Sequence, residues 1–409
     1  MRVCVVSFKE IWRDASGVWM TDGGFPRQMT AISSMFDEMV IVTPEVPARR
    51  GGIPLPMRAR VTPLKCPAGV DARRKLSILT GLGGHLRTMA PEIRRADVLH
   101  VPLPGDLPFI GMMLAQAYRK PLLARYGSSW SVNSETTMMN RLTKRWMRLT
   151  AGGRNVMVAT GQDDEPPAPG MHWLFASAMW SRELEELRAY LDRPLGQPPR
   201  LVYAGRLAPE KGLPVLIRAL ARLYADAAAN GGGRANGSGQ ATGSGGAWLP
   251  TLTLAGDGPD RAALETEARQ LLPDGAVTFL GQLDRDGLTR CLRSADVCVH
   301  PSLTESLCKA WLDAMAHGLP VIAADVGAAR AAIGEPGERG LLVPAGDPSA
   351  FAGAMARLLS EPRDWPALRR RCHAFVQSRT LEIWAERLGQ FCASQWGLSF
   401  VNGKLERRR

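Results

Sequence analysis

Between Val297 and Ala323 the chain passes from an apolar stretch through a break, an amphipathic segment and a tight turn to a second apolar stretch. Val297-Cys298-Val299 has the composition of a buried strand, and Pro301-Ser302 ends it. From about Ser306 the spacing predicts a helix. Leu307, Ala310, Trp311, Ala314 and Met315 recur at intervals of three and four, which puts one face on a core. His317-Gly318 closes the helix, and Pro320-Val321-Ile322-Ala323 is a second buried strand. Strands joined through a crossover helix pair in parallel, so this stretch commits its half of the chain to an α/β layer architecture.

Opposite the apolar face, Glu305, Lys309 and Asp313 follow one another at four-residue intervals. On a solvated helix that stripe is an ordinary set of i,i+4 pairs, each contributing about 0.2–0.5 kcal/mol. A second reading follows from the preceding strand. A helix opening at the carboxyl end of a parallel strand presents unpaired amides to an anion. Glu305 then sits at the helix mouth, with Asp313 about 12 Å along the axis at 1.5 Å per residue. That spacing suits two acids holding hydroxyls at either end of a sugar-diphosphate-ribose unit.

The pattern from Pro301 to Val321, with Glu305-Ser306-Leu307 and Asp313-Ala314-Met315-Ala316, resembles the nucleotide-sugar signature of retaining GT-B glycosyltransferases of family 4, group 1. That family carries two glutamates seven residues apart. Glu305 matches the first, and Asp313 holds the second position with one methylene less. Cys308 stands where the family tends to have a small residue, usually glycine. The resemblance implies that Glu305 holds sugar hydroxyls, that Asp313 holds the ribose, and that amides near Ser306 and Leu307 face the diphosphate.

At 409 residues the chain exceeds what one core usually supports, so two domains are expected. No run reaches the 18 or so apolar residues of a membrane span, and Val3 to Phe8 is a poor secretory signal. The seven cysteines are scattered and mostly in apolar runs, which reads as buried thiols of a reducing cytoplasm. The net charge of +12 is concentrated: residues 73–148 hold 13 basic and 4 acidic groups. Charge alone admits nucleic acid, anionic membrane or acidic ligands as partners. A basic-aromatic binding motif is lacking, so nucleic acid is not expected.

The amino-terminal half alternates strands and helices over about 175 residues, a Rossmann-like pattern. Arg2 to Ser7 is its first strand. A connection holding Gly23-Gly24 follows, then a helix from Gln28 to Met39 and the strand Val40 to Thr43. Gly23 and Gly24 allow close backbone approach to a ligand. They resemble the glycine loop of the same family, which faces donor phosphates and acceptor. After the strand at residues 121–125 the family usually has histidine-glycine, whereas here Tyr126-Gly127 follows. His100, at an earlier strand, is the other acceptor-side candidate, alongside the alternative of a histidine satisfied by backbone. A helix from Met138 to Leu149 carries Arg141, Lys144, Arg145 and Arg148 on adjoining turns.

Pro194 to Pro199 reads as the interdomain linker. Beyond it the strand Leu201 to Ala204 leads into Gly205-Arg206 and Lys211-Gly212. Arginine offers a diphosphate a planar fork and lysine a point charge. The bland alternative is a surface turn with a Glu210-Lys211 pair, but the spacing resembles the family's phosphate-binding pair. Gly256 and Gly281 end the next two strands and are assigned to the donor site with them. Asn230 to Ala247 is a Gly/Ser/Asn-rich stretch expected to be a flexible surface insertion. Asp284 and Asp286 have the spacing of a metal-binding pair in another glycosyltransferase architecture, but they precede a helix at Leu288, where aspartate caps well. No metal is therefore expected.

These readings assemble into an α/β protein of GT-B type, two Rossmann-like doubly wound domains facing across a cleft. The bounds are 1–193 for the acceptor-side domain, 194–200 for the linker, 201–375 for the nucleotide-sugar-binding domain with its insertion at 230–247, and 376–409 for a returning helix and a disordered basic tail. The implied activity is metal-independent, retaining transfer of a sugar from a nucleotide-sugar to an acceptor hydroxyl, in cell-surface polysaccharide or glycolipid assembly. Arg206, Lys211 and Glu305 would act at the reacting centre. No cofactor is expected beyond the donor itself. The expected setting is the cytoplasm; the basic patch of residues 73–148 reads either as a contact with the inner membrane face, which brings a lipid-linked acceptor, or as a solvated face that attracts an acidic donor or acceptor. Tyr126 and Asp313 keep an alternative open, a nucleotide-sugar-binding protein without transferase activity.

Overall fold

The structure is a computed structural model. It describes the whole chain except Arg50, Val70, Ser129, residues 131–135 and 162–164, Ala176, residues 230–233, 236–240 and 243–248, Ser306, residues 361–363 and Arg409. The chain divides into two compact units, Met1–Ala178 with Leu381–Arg409, and Met179–Thr380.

In the first unit Arg2–Val6 lies between Glu38–Glu45 and Val98–Leu103, parallel to both. Leu122–Tyr126, Asn155–Ala159 and Met171–Trp173 continue the sheet beyond Val98–Leu103, again in parallel. All six residues of Val98–Leu103 are buried, as expected of a strand covered on both faces. The strand order reverses beside Arg2–Val6, so loops at the carboxyl ends there flank a topological switch point.

Two segments of this unit depart from the sequence reading. The expected plain connection after Ser7 contains a hairpin, in which Ile11–Arg13 pairs antiparallel with Trp19–Thr21. Asp14 closes it by accepting from the Ser16 and Val18 amides, both at 2.9 Å. The carboxyl-terminal tail, expected to be disordered, is a hairpin of Leu398–Val401 with Lys404–Arg407. Its turn is Asn402-Gly403 with φ of 50° and 77°, and a two-residue turn with both central residues left-handed matches the twist of the strands it joins. Leu405 is buried, and its amide donates to the Met35 carbonyl at 3.1 Å. The helix Leu381–Trp396 packs in this unit too, where Trp396 Nε1 donates to the Arg154 carbonyl at 2.9 Å.

The second unit holds a six-stranded parallel sheet in the order Val277–Gly281, Thr251–Ala255, Arg200–Ala204, Val297–His300, Val321–Ala324, Gly340–Val343. Here too the order reverses, between Arg200–Ala204 and Val297–His300. Residues 194–200, read as a linker, lie inside this unit, and the break falls between Ala178 and Met179. The physical reason is Asp296, which is fully buried at the foot of Val297–His300. Its Oδ1 meets Arg193 at 3.3 Å and Arg369 at 3.2 Å, and its Oδ2 accepts from the Arg200 amide at 3.0 Å. A proline-rich stretch flanked by arginines is thereby pinned to the sheet. Of the expected insertion, Arg234–Ala235 and Ala241–Thr242 are described, and they pair antiparallel. The rest of 230–247 lies outside the described residues.

Candidate donor-binding site

Loops at the carboxyl ends of the central strands of the second unit carry most of the residues singled out above. Gly205 and Gly256 end neighbouring strands, and the Gly205 amide donates to the Ala255 carbonyl at 2.9 Å. Gly256 has φ 152°, and a Cβ there would stand 1.8 Å from the Gly205 carbonyl oxygen, so only glycine lets the loops meet. The Gly256 amide donates in turn to the Gly281 carbonyl at 2.8 Å. Above this floor lies a cavity of about 460 Å³ whose lining includes Gly205, Arg206, Gly256, Gln282, Leu283 and Asp313. Asp313 thus shares one cavity with the strand-end glycines, although 57 positions separate it from Gly256 and 108 from Gly205.

Lys211 and Glu305 meet elsewhere in the same unit. Lys211 ends the short 3-10 turn Pro209–Lys211, closed by Gly212 at φ 63°. A Cβ on Gly212 would fall 2.4 Å from the Pro301 carbonyl, and the Leu303 amide donates to the Glu210 carbonyl at 3.0 Å. The two loops are laced together, and Lys211 forms an ion pair with Glu305. Their side chains are 20% and 12% exposed, which leaves both within reach of a ligand. Arg206 pairs with Glu210 four residues on and is 66% exposed.

The helix expected from Ser306 begins at Lys309, with Cys308 as its extended N-cap. Leu307 and Cys308 turn inward, 9% and 6% exposed, and that detour uses up the first turn. Glu305 therefore does not sit at the helix mouth. Only the four steps from Lys309 to Asp313 contribute helical rise, about 6 Å. Ser306 lies outside the described residues. Asp284 accepts from the Gly287 amide at 2.7 Å, capping the helix Arg285–Ser294.

Beneath Glu305 runs a polar chain that sequence reasoning missed. Ser302 Oγ lies 3.4 Å from Glu305 Oε1 and 3.0 Å from His300 Nδ1, and Cys308 Sγ lies 3.2 Å from His300 Nε2. Burial, and then the Lys211 charge, push His300 down to about 3, so the ring is neutral. With its proton on Nδ1 every member is satisfied: the thiol donates to Nε2, Nδ1–H to Ser302, and Ser302 to Glu305. The available signal was a histidine closing an otherwise apolar strand immediately before Pro301-Ser302.

The acceptor-side candidates do not gather in one place. Gly23, with φ 73°, and Gly24 precede the helix Phe25–Ser33 beside a cavity of about 370 Å³ lined in part by Lys9, Asp22, Arg74 and Asp106. His100 is fully buried in mid-strand, its Nδ1 2.9 Å from the Leu123 carbonyl. Burial, and then Arg125, push it down to about 3. Tyr126 is buried edge-on against Trp130 and pushed up to about 12 by burial. Neither contributes to the described lining of that cavity. Lys144, read as part of a basic face, is also buried, with its ammonium 5.4 Å from the Tyr126 ring centroid.

Residues 198–361 match the family model described as Glycosyl transferases group 1. The chain is 32% identical over 217 residues to D-inositol 3-phosphate glycosyltransferase of Corynebacterium urealyticum, covering 51% of this chain and 43% of that one. It is 26% identical over 380 residues to a GDP-mannose-dependent alpha-mannosyltransferase of Mycolicibacterium smegmatis, covering 86% and 87%. The chain spans less than half the length of the inositol-phosphate enzymes it matches. Among solved structures, sucrose-phosphate synthase from Thermosynechococcus elongatus superposes with a TM-score of 0.71 at 20% identity, over 97% of this chain and 99% of that one. Anabaena HepE in complex with UDP and glucose superposes at 0.64 and 16% identity, over 97% and 99%. The fold is that of the GT-B class.

Proposed function

We propose that the protein transfers a sugar from a nucleotide-sugar to an acceptor hydroxyl with retention of configuration, a reading supported by the match of residues 198–361 to the Glycosyl transferases group 1 model in a chain of GT-B fold. The observation that carries the reading is the convergence of Gly205, Arg206, Gly256 and Asp313 on one cavity at a topological switch point, in the unit that also holds the Lys211–Glu305 ion pair. Arg206 and Lys211 meet the charge that develops on the departing diphosphate, an electrostatic role. The donor draws Lys211 from Glu305, which frees the carboxylate to accept from sugar hydroxyls, and Asp313 holds the ribose. The cations at the leaving group are side chains, so transfer proceeds without metal. Turnover in excess EDTA tests this. Activity should persist, whereas complete loss restored by manganese or magnesium would return Asp284 and Asp286 to consideration.

Among the described residues no helix is long and apolar enough to cross a membrane. The helix Met138–Thr150 nevertheless exposes Met138, Leu142 and Leu149 (83%, 43% and 70%) beside Arg141, Arg145 and Arg148. An apolar stripe edged by arginines suits a surface of anionic lipid, where each basic group near the surface contributes about 1 kcal/mol within a Debye length. On this reading the protein works at the inner membrane face, and its acceptor is lipid-linked, in polysaccharide or glycolipid assembly. Vesicle sedimentation checks it. Binding should require anionic lipid, weaken with salt and fall in an Arg141/Arg145/Arg148→Ala variant. Indifference to anionic vesicles at low salt would favour a soluble acceptor.

A further inference from the structure

His300, Glu305 and Cys308 bring one ligand atom each to within 4.8 Å of one another. The three types, an imidazole nitrogen, a carboxylate oxygen and a thiol sulfur, form a donor set suited to zinc. The 3.2 Å from His300 Nε2 to Cys308 Sγ is close to the edge of a tetrahedral site with bonds of about 2.0 and 2.3 Å. The outer shell is in place as well, because Ser302 engages Nδ1 at 3.0 Å and turns Nε2 toward the sulfur. An imidazole anchored through its other nitrogen is what metal-binding histidines require. Glu305 is the partly exposed member, 12% against 1% and 6% for the other two, so an ion reaches the cluster from the Glu305 side.

We propose that His300, Cys308 and Glu305 form a site for a soft divalent cation, zinc above all, and that its occupation switches the donor site off. Binding exchanges one proton for the metal. The Cys308 thiol proton leaves to solvent as the zinc–sulfur bond forms, His300 Nε2 supplies its lone pair, Glu305 gives a carboxylate oxygen, and a water completes four ligands. Glu305 must turn from Lys211 to the metal, so an ion seated here withdraws the carboxylate assigned to the donor sugar. Magnesium and calcium prefer all-oxygen ligands and do not compete. Metal binding rests on geometry alone, and only the inhibitory consequence rests on the donor reading.

Cobalt reads the site without any substrate. Full-length protein stripped with EDTA should take up about one equivalent of Co²⁺ and develop a thiolate-to-cobalt charge-transfer band, which Zn²⁺ then displaces. Cys308→Ser should lose the band and bind zinc at least about a hundredfold more weakly. Ser302→Ala should keep the band at about 10- to 100-fold lower affinity, the usual consequence of removing an outer-shell partner. In the transferase assay zinc should inhibit the natural sequence and be reversed by EDTA, while Cys308→Ser turns over equally with or without zinc. No cobalt–thiolate band with the natural sequence, or an undiminished band in Cys308→Ser, overturns the proposal. A normal band with no transfer under any condition would leave the metal site standing and remove the donor reading instead.

Discussion

Lys211→Ala should lower the rate of sugar transfer about 10- to 150-fold, because a hydrogen bond to a charged group contributes about 1.5–3 kcal/mol and each 1.36 kcal/mol is tenfold in rate. The loss should fall on kcat and kcat/KM together, since the charge that Lys211 meets develops as the diphosphate departs. Arg206→Ala should move in the same direction toward the smaller end of that range, because its guanidinium is 66% exposed and must first leave Glu210. Arg206 is mostly exposed, so its removal should leave thermal unfolding nearly unchanged, whereas Lys211→Ala takes the ion-pair partner from Glu305 and should lower the midpoint modestly. Full turnover in both variants would remove the diphosphate assignment.

The second large effect is on stability. Asp296→Ala should destabilise the unit Met179–Thr380 by about 3–5 kcal/mol, the usual result of taking one partner from a buried ion pair. At about 2–4 °C per kcal/mol for a unit of this size, its unfolding midpoint should drop by roughly 6–20 °C. The carboxylate is fully buried and is shared by Arg193, Arg200 and Arg369. Arg369 is itself fully buried, and burial followed by the neighbouring Arg193 charge pushes its guanidinium down to about 10 even with Asp296 present. Without the carboxylate, that cation is left among the described residues with the backbone carbonyls of Arg193 at 3.2 Å and Gly318 at 3.5 Å and the face of Trp365, 5.7 Å from the ring centroid. Thermal melts of the two forms measure the difference. A loss below about 1 kcal/mol would mean that the three arginines find water once the acid is gone.

Local pattern carried much of this fold. Period-two and period-four spacings located the strands and helices, and the structure places Gly205-Arg206, as read, at the carboxyl end of the strand Arg200–Ala204. What local pattern could not carry was contact between distant segments. Asp296 looked like any acid before a strand, and its partners lie 73 to 103 positions away. Residues 194–200 consequently read as a linker. Lys144 looked like its exposed neighbours, because nothing local says that Tyr126 lies under it. The helix start was misplaced for a related reason: Leu307 and Cys308 fit the apolar spacing of a helix, but His300 draws Cys308 inward before the helix begins. The terminal hairpin was legible in Asn402-Gly403, yet the basic run after it dominated the reading.

The central claim is that the second unit holds a nucleotide-sugar and that the protein turns it over. A panel of sugar nucleotides, incubated with EDTA-treated protein and assayed both for bound donor and for released nucleoside diphosphate, tests it most directly. The account predicts that one donor binds, that its nucleoside diphosphate is released, and that Lys211→Ala suppresses the release. Binding without release, in the presence of anionic lipid extracts and simple sugar acceptors, would make the protein a nucleotide-sugar binder. Neither binding nor release with any donor would contradict the account.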